Sequence, residues 1–232
     1  MADVAEIFTK MGGEFVASPS LFAEKLFQTK AFLFDWDGVF NDGSKFGDQG
    51  SVFSETDAMG TNLLRFGWWL QHKKVPPTGI ITGENNPASL QLANREHFDD
   101  IFLQAKNKGF AFDHFLKKHA LKPQEICYIY DDVLDLPIAE QAGLRVLVNR
   151  KGSPLFRNFV RRINACDYIT FTATAFGAVR ESCELLIGGL GKYDEVVSNR
   201  KEYSSLYQAY LNDREMKQTS VLYWEAGEFS AG

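Results

Sequence analysis

Residues Ala31 to Gly43 read AFLFDWDGVFNDG, and the fold is decided there. Four apolar residues run straight into Asp35, Trp36, Asp37 and Gly38, as a buried parallel strand does when it stops at a functional edge. In open α/β sheets, ligands gather at the carboxyl ends of strands. Two carboxylates placed there repel each other and are costly to bury unless a cation or a shared proton compensates. A hard divalent cation with oxygen ligands, Mg²⁺ first among them, resolves that conflict. Taken alone, the same letters also describe a strand followed by an ordinary Asp/Gly turn, so the downstream sequence has to choose.

The chain around this stretch has 232 residues, 45% of them hydrophobic and 24% charged, with 20 Phe. That size suits one α/β domain with additions, and that composition excludes disorder. No apolar run approaches the ~18 residues that a membrane span needs. The N-terminus, MADVAEIFTKMGGEF, lacks the basic start and apolar centre of a signal peptide, so a cytoplasmic location is expected. A net charge of −5 offers nucleic acid no broad attraction, and an anionic substrate needs local cations. Cys127, Cys166 and Cys183 are odd in number and widely spaced, which argues against structural disulfides and against zinc.

Read in order, residues 1–29 predict a short helical extension broken at Ser18-Pro19-Ser20, expected to serve packing or assembly. The first core strand follows at Ala31 to Phe34. Asn41-Asp42-Gly43 and Asp48-Gln49-Gly50 are turn signals that predict a small β-hairpin flap over about 39–53. Asp57 is placed to cap a helix through Leu63, Leu64 and Phe66, and the tandem Trp68-Trp69 reads as packing. Thr78 to Ile81 predicts a strand that delivers Thr82-Gly83-Glu84 at its end. Asp100 to Leu103 predicts another, followed by Lys106 and Lys108 at a helix start. Glu125 to Tyr130 runs as a strand into Asp131-Asp132, and Arg145 to Val148 is the next. This alternation predicts a doubly wound parallel sheet. Beyond Gly188-Gly189-Leu190-Gly191, residues 190–232 are expected to form a helical, loosely held tail.

Chemistry-bearing residues therefore recur at strand ends in a fixed order: Asp35 and Asp37, then Thr82, then a lysine near a helix start, then Asp131, Asp132 and Asp135. Phosphoryl transfer needs these parts, namely a nucleophile, an in-line acid, a metal and donors for the equatorial oxygens. At this point FDWDGVFNDG, the Asp57 to Gly60 DxxG, IITGE, DDVLDLP with AGLRVLV, and GAVRESCELL resemble a haloacid dehalogenase-type phosphatase. Within that superfamily, residues from about Lys30 to Ile187 are most similar to the capless group acting on 3-deoxy-manno-octulosonate 8-phosphate and nonulosonate 9-phosphates.

The resemblance implies a Rossmann-like core over 30–189 with no large cap domain, and a Mg²⁺-dependent phosphomonoesterase. It implies Asp35 as nucleophile, Asp37 as acid and base in turn, and Thr82 as a hydrogen-bond donor to the phosphoryl group. The family's lysine falls on Lys108 if one residue is deleted from the loop, with Lys106 as the alternative. Mg²⁺ would be held by Asp35, the main-chain carbonyl of Asp37 and Asp131, with Asp132 and Asp135 supporting them. A homotetramer is implied by resemblance alone. The expected partner is a small phosphate ester, with neither nucleic acid nor membrane involved.

Departures from the group's pattern concern substrate more than chemistry. Tyr130 stands where Gly is usual and is expected to narrow the metal side of the site. Glu84 replaces the Arg of ITGR, and with Gly83 it is the candidate to meet substrate, accepting hydrogen bonds from sugar hydroxyls. Arg157, Arg161 and Arg162 form a basic helical face that reads as solvated. Arg180 either reaches an anionic substrate or pairs with Glu184. A competing reading is a phosphatase-like scaffold with decayed catalysis; a receiver domain is discounted because it would be about half this length.

Overall fold

The computed structural model describes residues 1–47, 50–173, 177–225 and 227–231. Its centre is the strand anticipated above, β2 (Ala31–Asp35), buried along its whole length. Alternate residues of β2 face opposite sides, as strand geometry requires. Phe32 and Phe34 enter one apolar cluster with Leu64, Phe66 and Leu186, whereas Ala31 and Leu33 enter another with Phe112, Phe115 and Ile138. A strand buried on both faces cannot show polar alternation, which explains its unbroken apolar run.

Around β2 the chain lays down β3 (Thr78–Ile81), β4 (Asp100–Leu103), β5 (Ile126–Tyr130), β6 (Leu144–Asn149) and β7 (Tyr168–Ala173). With β1 (Glu14–Phe15), β8 (Ser220–Glu225) and β9 (Glu228–Ala231) they form one sheet of order β1-β7-β6-β5-β2-β3-β4-β8-β9. The seven strands from β7 to β8 are parallel, and β1 and β9 pair antiparallel at the two edges. This is the expected doubly wound α/β architecture with no large cap.

One face is covered by α2 (Pro19–Gln28), α3 (Glu55–His72), α8 (Ala178–Gly189) and α10 (Ser205–Glu215), the other by α5 (Lys108–His119), α6 (Leu136–Ala139) and α7 (Pro154–Arg162). Trp68 and Trp69 are buried on α3, and the Trp69 indole donates to Asp213 at 2.6 Å, so both pack. The helix start differs from expectation. Ser54 caps α3, and Asp57 instead accepts from the backbone N–H groups of Gly177 and Arg180, both at 2.9 Å, at the head of α8. The DxxG is thus a docking device: Gly60 faces the Arg180 backbone where an added Cβ would stand 3.0 Å from Cα.

Two further expectations are corrected. Between Val39 and Phe53 the described residues form no strand; the loop folds back through a Phe46 N–H to Gly50 carbonyl hydrogen bond of 2.9 Å. Gly43, Gly47 and Gly50 all adopt positive φ, which interrupts pairing, and an isolated two-stranded ribbon has little to stabilise it. The Asp48-Gln49 turn lies outside the described residues. The segment after residue 190 is not merely helical. After α9 (Tyr193–Lys201) and α10, β8 joins β4 in parallel register and β9 folds back upon it. Tyr207 and Tyr210 of α10 bury their rings beside Phe66, and the Tyr207 hydroxyl donates to Asn62 at 2.9 Å. At the other end, α1 (Ala2–Lys10) and α2 flank β1.

Candidate active site

Strand register assembles the site. Asp35 lies opposite Ile81, and Phe34 opposite Ile129, so Thr82 and Asp131 each follow the position level with Asp35 or just beyond it. All three emerge at the carboxyl edge of the sheet, where backbone groups no longer pair and side chains can converge. Asp35, Thr82 and Asp131 are buried.

Lys108 completes the centre. It opens α5 behind the Asn107 cap, and its ammonium donates to Asp35 and to Asp135, the latter at 2.6 Å. The Tyr128 hydroxyl donates to the same Asp135 oxygen at 2.5 Å, and the Asp132 N–H to the other at 3.2 Å. Asp135 is therefore fixed from three directions. Lys106, the alternative lysine, lies outside: it pairs at 2.9 Å with Glu84, and both side chains are exposed.

Three carboxylates crowd this centre. Single oxygen atoms of Asp35, Asp131 and Asp135 lie within 4.8 Å of one another. Burial, and then the charge of Asp135, push the Asp35 carboxyl up to about 7 despite Lys108. Burial followed by Asp35 and Asp135 pushes Asp131 up to about 9, against the pull of Arg150. Burial would lower the Lys108 pKa, but Asp135 and then Asp35 outweigh it and hold the ammonium charged well above the ordinary lysine range. Asp131 Oδ2 is buried without a hydrogen-bond partner among the described residues. Such a trio of oxygen donors with an orphaned buried oxygen suits a hard divalent cation.

Asp37 faces elsewhere. Its carboxylate accepts from Ser51 Oγ and Lys45 Nζ, both at 2.5 Å, so the flap loop holds it. Asn41 shapes the turn between them: its amide oxygen accepts from the Gly38 and Gly43 N–H groups at 3.3 and 2.8 Å, while its NH₂ donates to the Trp36 carbonyl. Gly38 has a positive φ of 87°, and an added Cβ would stand 2.0 Å from Asp131 Oδ2. Only glycine lets the turn approach Asp131 so closely. Thr82 Oγ1 receives the Glu84 N–H at a long 3.4 Å, and Gly83 borders open space.

Tyr130 does not narrow the metal side. Its ring stacks on Tyr128 and its hydroxyl donates to the Ala165 carbonyl at 2.8 Å, inside the apolar cluster beneath the sheet. A residue directed away from the site needs no glycine there. Arg180 pairs with Glu184 at 2.7 Å. Asp132 is half-exposed and caps the turn at Val133. Sequence reasoning missed Tyr128, Ser51, Lys45 and Arg150. Tyr128 resembled core, although alternation along β5 sets it on the face that meets α5; the other three sit in loops whose path no periodicity predicts.

The fold and this carboxylate–lysine centre define a haloacid dehalogenase-type hydrolase. Among solved structures, one from Legionella pneumophila described as an HAD-superfamily subfamily III A hydrolase matches with a TM-score of 0.66 and 27% identity, covering 79% of this chain and 95% of that one. The 3-deoxy-D-manno-octulosonate 8-phosphate phosphatase of Moraxella catarrhalis, in complex with magnesium, phosphate and KDO, matches with a TM-score of 0.63 and 25% identity over 77% of this chain and 97% of that one. No protein-family model matches the chain. The 3-deoxy-D-manno-octulosonate 8-phosphate phosphatase of Salmonella typhi is 31% identical over 176 residues, 72% of this chain and 83% of the relative. The chain belongs to this phosphatase family, whose members are hydrolases of phosphoric monoesters.

Proposed function

We propose that the protein is a Mg²⁺-dependent phosphomonoesterase acting on a small phosphorylated sugar acid. The carrying observation is the buried Lys108 bridge between Asp35 and Asp135 beside Asp131. One buried cation and a cation-seeking carboxylate set beside Asp35 support reading Asp35 as the nucleophile. Asp35, Asp131 and the Asp37 carbonyl would hold Mg²⁺, with Asp135 as a further neighbour; the ion, when bound, neutralises carboxylate and phosphoryl charge.

Asp35 attacks phosphorus, the bond to the sugar oxygen breaks, and Asp37 gives that oxygen its proton. Water then attacks the aspartyl-phosphate as Asp37 takes a proton back, releasing orthophosphate and restoring Asp35. Lys108 neutralises the transferring oxygens and Thr82 donates a hydrogen bond to them. Gly83 leaves room for the sugar, and Glu84 accepts from its hydroxyls once Lys106 gives way. Asp37 is tied to the flap loop by Ser51 and Lys45, so that loop orients the acid.

A homotetramer is part of this reading, supported by Phe46 and Val52, apolar and exposed on the flap loop. So is a cytoplasmic location, which the three free, buried cysteines suit. Among the described residues no helix is long and apolar enough to cross a membrane. The scaffold reading loses one of its supports with Tyr130 in the core.

The test is orthophosphate release from a panel of sugar and sugar-acid phosphates with Mg²⁺, for wild type and Asp35→Asn. Release only from the wild type, greatest for sugar-acid phosphates, is expected. Undiminished release by Asp35→Asn refutes the nucleophile, and light scattering that returns a monomer refutes the tetramer.

A further inference from the structure

Two side chains of the flap loop meet Asp37, and they differ in freedom. Ser51 is buried, whereas the Lys45 side chain is 46% exposed. The Ser51 hydroxyl donates to Asp37 Oδ1 and the Lys45 ammonium to Oδ2, so each carboxylate oxygen has its own donor. A serine hydroxyl carries a single proton, and among the described residues Asp37 is its acceptor.

Ser51 is itself held by the residue that stands between Asp35 and Asp37. The buried Trp36 indole, stacked on Phe40 and edge-on to Phe53, donates to the Ser51 carbonyl at 3.3 Å. Residues 36 and 37 are thus joined to residue 51 twice, through a main-chain carbonyl and through a hydroxyl. On the other side Gly50 lies against Asn86, the cap of the helix Pro87–Arg95, where an added Cβ would stand 2.8 Å from the Asn86 side chain. Any residue at position 51 would supply the carbonyl to Trp36; the hydroxyl serves Asp37 alone. Lys45, by contrast, borders a groove of about 540 Å³ with Gly50, Glu84 and Asn85, on the side where the sugar is placed above. The oxygen that Lys45 meets, Oδ2, is therefore the one on the groove side.

We propose that Ser51 is the positioning residue of the general acid: by occupying Asp37 Oδ1 it leaves Oδ2 to carry the proton that passes to the leaving sugar oxygen. The inference rests on the phosphatase reading and adds the atom at which the proton is held. As the bond from phosphorus to the sugar oxygen breaks, the proton on Oδ2 moves to that oxygen and Asp37 is left as a carboxylate. Ser51 hydrogen-bonds this carboxylate and Lys45 pairs with it, so both donors favour the state that proton transfer produces. In the second half-reaction Oδ2 takes a proton from the attacking water.

The test measures kcat/KM for aryl phosphates of graded leaving-group basicity, from p-nitrophenyl to phenyl, and for a sugar phosphate, in wild type, Ser51→Ala, Ser51→Cys and Ser51→Thr with Mg²⁺. A poor leaving group needs the proton, and a good one departs without it. kcat/KM ends at departure of the leaving group, so hydrolysis of the aspartyl-phosphate does not enter. General acid catalysis contributes roughly 10²–10⁴-fold, and a misoriented acid forfeits part of it. Ser51→Ala should therefore lose about tenfold or more on phenyl phosphate and the sugar phosphate and much less on p-nitrophenyl phosphate, which steepens the dependence on the leaving group. Ser51→Cys, of similar shape but a poor donor, should behave alike and serves if Ser51→Ala does not fold. Ser51→Thr, which keeps the hydroxyl, should return towards the wild-type slope. A loss equal on every ester marks a serine that only shapes the loop and overturns the proposal, as does an unchanged slope in the folded variants. A wild type that hydrolyses none of the esters refutes the phosphatase reading and this role with it, whereas an active wild type with parallel losses in the variants refutes the role of Ser51 alone.

Discussion

Lys108→Met is the substitution with the clearest expected signature. Lys108 is 5% exposed and its partners Asp35 and Asp135 are 6% and 1% exposed, so methionine of similar reach removes the charge and leaves the carboxylates stranded. Removing one partner of a buried pair costs roughly 3–5 kcal/mol. In a domain of this size each kcal/mol moves Tm by about 2–4 °C, so metal-free Tm should fall by roughly 6–20 °C at pH 8. The loss must depend on pH. Lys108 lowers the Asp35 pKa, so its removal lifts that carboxyl above about 7. A carboxyl whose folded pKa is raised binds a proton more readily folded than unfolded, which makes stability fall as pH rises towards the folded value. In the wild type this decline at Asp35 levels off above pH 7, whereas in the variant it continues, at up to ~1.4 kcal/mol per pH unit. Between the ordinary carboxylate range and pH 6 the stranded site instead takes up a proton and the penalty shrinks. Melting curves of metal-free wild type, Lys108→Met and the exposed control Lys106→Met at pH 6 and 8 measure all of this. A Lys108→Met loss below about 2 °C at pH 8, or an equal loss at both pH values, refutes the charge argument, while Lys106→Met should move little.

Three further outcomes follow from the same geometry. Mg²⁺ should raise the wild-type Tm more at pH 8 than at pH 6, because the ion displaces protons from the raised Asp35 and Asp131 carboxyls; a thermal shift independent of pH contradicts the ligand assignment. Asp57→Ala removes the acceptor shared by two N–H groups at the head of α8; it should cost about 1–3 kcal/mol in denaturant melts, with KM of the surviving enzyme unchanged. Orthophosphate should bind more tightly with Mg²⁺ present than without it, by at least about fivefold in calorimetry; equal affinities refute a centre whose net charge the ion reverses.

Legibility in the sequence followed the physics of each element. Strands β2 to β5 were readable because burial on both faces leaves unbroken apolar runs ending in polar residues at one edge, and that edge is where Asp35, Thr82 and Asp131 stand. Asp57 was misassigned because a carboxylate near a helix start looks like a cap for that helix, while its acceptor role 120 residues further on is purely tertiary. The flap was legible as a turn-rich excursion but not as a particular backbone path, since three glycines at positive φ leave pairing to context. Strand β8 was hidden because Val221 to Trp224 becomes a strand by joining an existing edge, and local sequence does not record which edge is open. Tyr130 misled for a related reason: a missing glycine suggests a crowded site only if the side chain points into it. Arg150 left no sequence signal, because its proximity to Asp131 is created by the loop after β6.

Charge arithmetic explains why these pieces belong together. With all groups ionised, Asp35, Asp131 and Asp135 face Lys108 and Arg150, leaving one negative charge in a space screened from water. Raised carboxyls are the answer available to the polypeptide alone, and a proton taken up by Asp35 is a proton its role as nucleophile must lose. A divalent cation relieves the same excess without protonating Asp35 and reverses the sign of the centre. A phosphate monoester dianion then meets a positive site, where before it would have met a negative one. Metal and phosphate should therefore favour each other's binding, and the nucleophile is unmasked only when the ion that helps to hold the phosphate is already there. The lysine makes this order tolerable: by serving Asp35 and Asp135 together it keeps the empty site folded at neutral pH, and its loss should be felt most where the metal is absent.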